Sequence, residues 1–225
     1  MNVVLTREAG RNDGLRAWLP PKTTVTEVPL TTTRYFDLVD VRVALDAAPL
    51  SGTYQTLVVT SWRSVSYVEA ALRASANDVE VYCVGPTTAS ALADRGLHVH
   101  ARGEGSAKDL APEISRGPVL MLGAKAMRDE LAAALRAKGL DVALVACYET
   151  IERALDPSAV EALHRADVLF IGAPSAWAVA RRYVANTTWV VVPGASTGAA
   201  VRADHPRVIE GWGPQLRAHL DTLAR

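Results

Sequence analysis

Two stretches of this chain set a glycine ahead of a hydroxyl pair and an alanine-rich run: VGPTTASALADRGLHV at 84–99 and PGASTGAAVRADHPRV at 193–208. A glycine turn that opens a helix leaves backbone N–H groups without intrahelical partners, and such groups bind anions. Taken singly, Gly85 and Pro86 followed by Thr87 and Thr88 read just as well as an ordinary N-cap, in which a threonine closes the helix's own donors. The second copy, with Gly194, Ser196 and Thr197, turns the balance toward a receptor for a polyanion. A carboxylate ligand fits better than a nucleotide. The chain has no Walker sequence, and GEGSAK (103–108) and GWGPQL (211–216) lack the third glycine of a dinucleotide loop.

Cations and hydroxyls recur where strands end. In TSWRSV (60–65), Thr60 and Ser61 close an apolar run and Arg63 opens a helical one; a capping pair with a solvated arginine is the plain alternative. Arg7 stands directly after the first apolar run, and Lys125 with Arg128 after the run at 118–122. Cations at the carboxyl ends of parallel strands point into the crevice where open α/β sheets bind ligands. Tyr148, in ACYETIE, closes a long apolar run and offers a phenol to that crevice, or else a packed aromatic with a wet hydroxyl; Tyr35 and Tyr54 lack such a placement. The five tryptophans read as packing residues, with stacking open for Trp62 and Trp212.

The elements that must hold these residues follow from the alternation of short apolar runs with alanine-rich helical stretches, the pattern of a parallel sheet covered by helices. Strands are expected at 2–6, 24–28, 55–60, 79–84, 97–101, 118–122, 141–149, 167–171, 188–192 and 206–210. Helices are expected at 12–19, 63–74, 87–95, 107–115, 128–138, 157–165, 175–184, 196–203 and 214–224, with Gly96 and Gly139 as helix stops and Pro157 and Pro214 in first turns. Faint internal repeats run in order along the chain: 4–19 over 119–135, 58–65 over 170–177, 84–99 over 193–208 and 104–110 over 210–216. Such a series marks a diverged tandem duplication, and two similar α/β units in one chain predict a ligand cleft where they meet.

Composition narrows the partners. Lys+Arg and Asp+Glu are each 24, so the formal charge is zero, and no basic stripe interleaved with aromatics suits a phosphate backbone. Nucleic acid is not an expected partner. Apolar runs such as VALVA (142–146) and WVVVP (189–193) are too short to cross a bilayer, and no signal segment follows Met1, so a cytoplasmic protein is expected. Cys83 and Cys147 lie inside apolar runs and read as buried hydrophobes, and the histidines are too scattered for a preformed metal site.

The order LTRE, LVVTSWRSV, VGPTTASALADRGLHV, EGSAKDLA and VACYET, followed by the second glycine-hydroxyl loop, resembles the uroporphyrinogen-III synthase family over essentially the whole chain. The resemblance implies an α/β fold of two flavodoxin-like parallel-sheet domains joined by a two-stranded linker. One lobe would be 1–28 plus 151–225, the other 34–143, with linker strands 29–33 and 144–150. It also implies closure of the linear tetrapyrrole hydroxymethylbilane, a polycarboxylate, to uroporphyrinogen III, with loss of water and inversion of the last pyrrole ring. No cofactor or metal is implied. The expected enzyme is a monomer, with transient handover of substrate from hydroxymethylbilane synthase. Carried over by motif, Tyr148 is the catalytic candidate. Thr60, Ser61, Arg63, Gly85, Thr87 and Thr88 would hold carboxylates from one lobe, and Arg7, Ser175, Ser196 and Thr197 from the other. Against the family's pattern, IGAPS has Gly172 and Ala173 where a serine or threonine usually precedes the proline, and VPGASTG replaces a glycine-proline-hydroxyl-hydroxyl turn. The alternative is a noncatalytic bilobed module that binds an acidic small molecule.

Overall fold

The computed structural model describes residues 1–8, 10–104 and 107–223. Gly105 and Ser106 of the EGSAKDL stretch and the expected helix end at Ala224 lie outside them. The chain forms two units, a terminal unit of Met1–Thr32 with Thr150–Arg225 and a central unit of Thr33–Glu149. In chain order the strands are β1 (Asn2–Leu5), β2 (Thr24–Glu27), β3 (Thr31–Tyr35), β4 (Thr56–Val59), β5 (Glu80–Val84), β6 (Ala101–Gly103), β7 (Val119–Ala124), β8 (Val142–Glu152), β9 (Val168–Phe170), β10 (Trp189–Val192) and β11 (Val208–Glu210).

The sheet of the terminal unit has the order β11-β10-β9-β1-β2, parallel throughout. The other sheet has the order β3-β8-β7-β4-β5-β6 and is parallel from β8 to β6. Backbone bonds from Arg153 N to Leu30 O and from Phe36 N to Cys147 O set β3 against β8 in the opposite direction. The parallel strands of each sheet are buried on both faces, as helix-covered parallel strands must be. In the central unit, Leu57, Val59, Leu120 and Leu122 pack in one cluster, and their strand neighbours Val58, Val119 and Met121 in another. The terminal sheet divides the same way, with Val4, Leu169 and Val190 on one face and Val3, Leu5, Val168 and Phe170 on the other.

The repeat series maps onto these sheets. Its offsets carry β1 onto β7, β9 onto β4 and β10 onto β5, and these strands hold equivalent places in the two orders. Each sheet reverses its winding once, between β1 and β9 in the terminal unit and between β7 and β4 in the central one. Gly96 and Gly139 have φ of 70° and 83°, the left-handed conformation that a helix stop requires.

Three expectations are corrected. The run 97–101 is not a strand: Leu97 and Val99 turn onto the core, and β6 pairs with β5 only from Ala101. A helix at Leu38–Asp46 has no counterpart in the sequence reading, because Val39, Val41 and Val43 alternate like strand residues. Only Val41 and Leu45 of that helix are buried, while Val39 and Val43 are 68% and 63% exposed. Tyr35, thought badly placed, ends β3 with its ring 6.3 Å from that of Tyr148.

Both cysteines are free and buried, and burial raises their thiols, that of Cys147 to about 12. Thiol titration of the folded protein at pH 8 should therefore find neither reactive on a minutes timescale, and both after denaturation in urea. Rapid labelling of the folded chain would contradict this packing.

Candidate active site

In the central unit the winding reverses between β4 and β7, so the segments that follow them leave toward opposite faces and open a crevice at their carboxyl ends. A pocket of about 420 Å³ lies there, lined by Thr60, Ala124, Met127, Arg128 and Tyr148 among others. Thr60 follows β4 and donates its hydroxyl to Leu122 O at 2.9 Å, while its backbone N–H binds the same carbonyl at 3.0 Å. Its proton is committed to the fold, so a ligand would meet an acceptor oxygen there. Tyr148 arrives from β8 through an irregularity. Gly123 pairs with Ala146, but Ala124 pairs with Tyr148, so Cys147 is left without a register partner. Such a bulge re-aims the side chains that follow it.

The phenols of this unit differ in what they touch. Tyr54 donates to Ala71 O, Tyr67 to Phe36 O at 2.6 Å and Tyr82 to Glu80 Oε2 at 3.0 Å. Burial is the main cause that raises all three, with Tyr54 and Tyr82 reaching about 12. Tyr148 is 7% exposed, yet among the described residues its hydroxyl has no hydrogen-bond partner. A phenol that lines a pocket with its hydroxyl uncommitted can donate to a ligand. The Arg63 guanidinium lies 6.0 Å from the Tyr148 ring centre and 4.8 Å from that of Trp62, and its Nε donates to Thr33 Oγ1 at 3.0 Å. Ser61 caps its own 3-10 helix, Trp62–Tyr67, by accepting from Arg63 N. Beyond Tyr148, Glu149 holds Arg34 and, at 3.5 Å, Lys125. Arg128 lines the pocket and has no ion-pair partner among the described residues. Of these two cations after β7, Arg128 is therefore the more available to a ligand.

Gly85 opens the helix Pro86–Ala93 with φ 81°, and no side chain caps it. Thr87 is exposed and Thr88 buried. The echo has the same arrangement: Gly194 opens the helix Ala195–Arg202 without a side-chain cap, Ser196 is exposed and Thr197 buried. In each copy one hydroxyl therefore faces solvent beside helix donors that no side chain caps. Ser175 is exposed in the first turn of the helix Pro174–Ala180, which Ala173 leaves uncapped as well.

At the winding reversal of the terminal unit, Arg7 follows β1 and its guanidinium lies 5.4 Å from the centre of the Trp212 ring. A Cβ at Gly172 would stand 3.5 Å from Arg7 Cγ, an ordinary contact distance, so this glycine packs beside the arginine. Thr6 donates to Phe170 O at 2.5 Å and joins β1 to β9 as Thr60 joins β4 to β7. Of the expected residues, Thr60 and Tyr148 share one pocket, Arg63 touches the tyrosine, and Arg7 belongs to a second reversal point. Sequence reasoning missed Gly123 and Tyr35. Arg128 was noticed as a cation after β7, but nothing in the sequence distinguished it from Lys125.

Because these helix starts lack side-chain caps, Thr87→Ala and Ser196→Ala should each change the unfolding free energy by less than about 0.5 kcal/mol. Asp156→Ala, which removes the bond that its carboxylate accepts from Ala159 N at 2.8 Å, should lower the urea midpoint clearly more than either. Urea unfolding of the three variants checks this.

The sequence pattern of the family described as Uroporphyrinogen-III synthase HemD matches residues 23–209. No curated protein matches the chain by sequence. Among solved structures, a mutant uroporphyrinogen III synthase from the extremely thermophilic bacterium Thermus thermophilus aligns with a TM-score of 0.65 and 20% identity, covering 100% of this chain and 98% of that one. Uroporphyrinogen-III synthetase from Helicobacter pylori 26695 aligns with a TM-score of 0.65 and 18% identity, covering 100% and 99%. At these identities the structures establish a shared fold, and the match over 23–209 establishes the family. The chain belongs to the uroporphyrinogen-III synthase family.

Proposed function

We propose that Tyr148 assists departure of the substrate hydroxyl, and that the uncapped helix starts and the cations at the strand ends hold the substrate's carboxylates. The reaction itself is the family's: a cyclising lyase closes hydroxymethylbilane to uroporphyrinogen III, with loss of water and inversion of the last pyrrole ring. The C–O bond of the hydroxymethyl group breaks, the oxygen leaves as water and an azafulvene remains. Hydroxide is a poor leaving group, so a donor hydrogen-bonded to that oxygen lowers the barrier. Tyr148 suits this task because the residue lines the pocket and its hydroxyl has no partner among the described residues, whereas Tyr54, Tyr67 and Tyr82 spend theirs inside the fold.

The azafulvene carbon is then attacked by the substituted carbon of the far ring, giving a spirocyclic pyrrolenine whose reopening allows that ring to turn over before final closure. Unassisted closure proceeds without inversion, so the protein must hold the chain in a geometry the free substrate avoids. Carboxylates are the available handles. The donors at Thr87 and Thr88, with the cations Arg63 and Arg128, suit them in the central unit. Arg7, Ser175, Ser196 and Thr197 supply equivalent groups in the terminal unit, where the backbone donors of two uncapped helices need no particular side chain. Thr88 and Thr197 contribute through their N–H groups, since both side chains are buried. Among the described residues no helix is long and apolar enough to cross a membrane. The enzyme works as a cytoplasmic monomer that takes its substrate from hydroxymethylbilane synthase.

The observation that carries the assignment is the family match; the uncommitted phenol carries the mechanism. With hydroxymethylbilane supplied and the products oxidised, the wild type should yield type III porphyrin, and Tyr148→Phe should keep its fold while turnover falls by about 10²-fold or more. Type I porphyrin alone from the wild type, at the spontaneous rate, would contradict the assignment.

A further inference from the structure

A side chain at position 123 would collide with its surroundings. A Cβ there would stand 2.2 Å from Thr60 Oγ1 and 2.5 Å from Met127 Sδ, both far inside contact distance. The space is empty because residue 123 is glycine, and Thr60 leans across it to reach Leu122 O. The next step along β7 is the register shift that leaves Cys147 unpaired and sets Tyr148 opposite Ala124. Parallel partners share a face, so an unbroken ladder would set Cys147 opposite Ala124, and Tyr148 would point away from that face. With the shift, Cys147 and Tyr148 both join the cluster that contains Leu120, Leu122, Ala143 and Val145. Lys125 N then binds Tyr148 O at 2.7 Å and fixes the strand beyond the shift.

We infer that Gly123 is a positioning residue for Tyr148: by admitting the Thr60 hydroxyl and the Met127 thioether between β4 and β7, it maintains the bulge that sets the tyrosine on the Leu120–Leu122 face, beside Arg63 and at the edge of the pocket. This rests on the role given to Tyr148 above. Gly123 touches no substrate in this scheme and acts through the tyrosine alone. Ala at 123 must displace Thr60, loosen its bond to Leu122 O and shift the end of β7 against β8. A misplacement on the order of 1 Å is enough to lower turnover by about 10²-fold.

The test is a double-mutant cycle on kcat and KM for hydroxymethylbilane, using full-length wild type, Gly123→Ala, Tyr148→Phe and the double variant. Gly123→Ala should lower kcat by about 10- to 100-fold with KM changed less than about twofold, and should cost nothing further in the Tyr148→Phe background. Losses that multiply in the double variant, or a loss confined to KM, would overturn the inference and leave the role of Tyr148 intact. Wild-type turnover by Tyr148→Phe would instead remove the role of Tyr148, and the inference with it. Should Gly123→Ala fail to fold, Thr60→Val enters the same cycle, because it keeps the shape of the side chain and deletes only the hydroxyl that holds Leu122 O. It should show the same loss of kcat and the same absence of a further effect, and multiplicative losses would overturn the inference here too.

Discussion

The close approach of β4 and β7 at the point where the central sheet reverses its winding is the constraint on which the candidate site depends. A threonine on one strand binds the Leu122 carbonyl of the other across a glycine with no room for a side chain. That contact closes the sheet just below the crevice. Above it the two chain segments leave for opposite faces, and the opening between them is the pocket. The register shift one residue later sets Tyr148 on the Leu120–Leu122 face, at the edge of the same opening. Pocket and phenol therefore have one structural origin.

The terminal unit solves the same problem with the roles exchanged. There the threonine that joins the central strands is Thr6 on β1, which bonds Phe170 on β9. The glycine is Gly172, which follows β9, and the side chain beside it is Arg7, which follows β1. One copy of the ancestral reversal point keeps a hydroxyl beside a glycine, and the other keeps a guanidinium. This exchange gives a physical context for the motif IGAPS: a small residue at 172 sits beside an arginine stacked on Trp212.

Much of this architecture was readable from the chain. Periods of apolar residues located the central strands because parallel strands buried on both faces are written as unbroken runs such as TLVV and VLML. The repeat offsets anticipated the equivalence of β1 with β7 and of β9 with β4, since duplication preserves strand ends longer than it preserves surfaces. The helix at Leu38–Asp46 was hidden by valines that alternate, three of its large apolar side chains being left exposed. The run 97–101 misled because its apolar residues pack as a loop under the core. Gly123 looked like any glycine at a strand end. Its importance lies in Thr60 and Met127, residues from other parts of the chain, and no local pattern reports a tertiary approach of that kind.

The central claim is that Tyr148 serves the departure of the hydroxyl and not the later steps of closure. Turnover of a bilane whose leaving group departs without a proton tests it most directly, compared between wild type and Tyr148→Phe. If the phenol acts on the leaving oxygen, the two enzymes should turn over this substrate at the same rate, within about twofold, although they differ by about 10²-fold or more on hydroxymethylbilane. An equal deficit of Tyr148→Phe on both substrates would contradict the account.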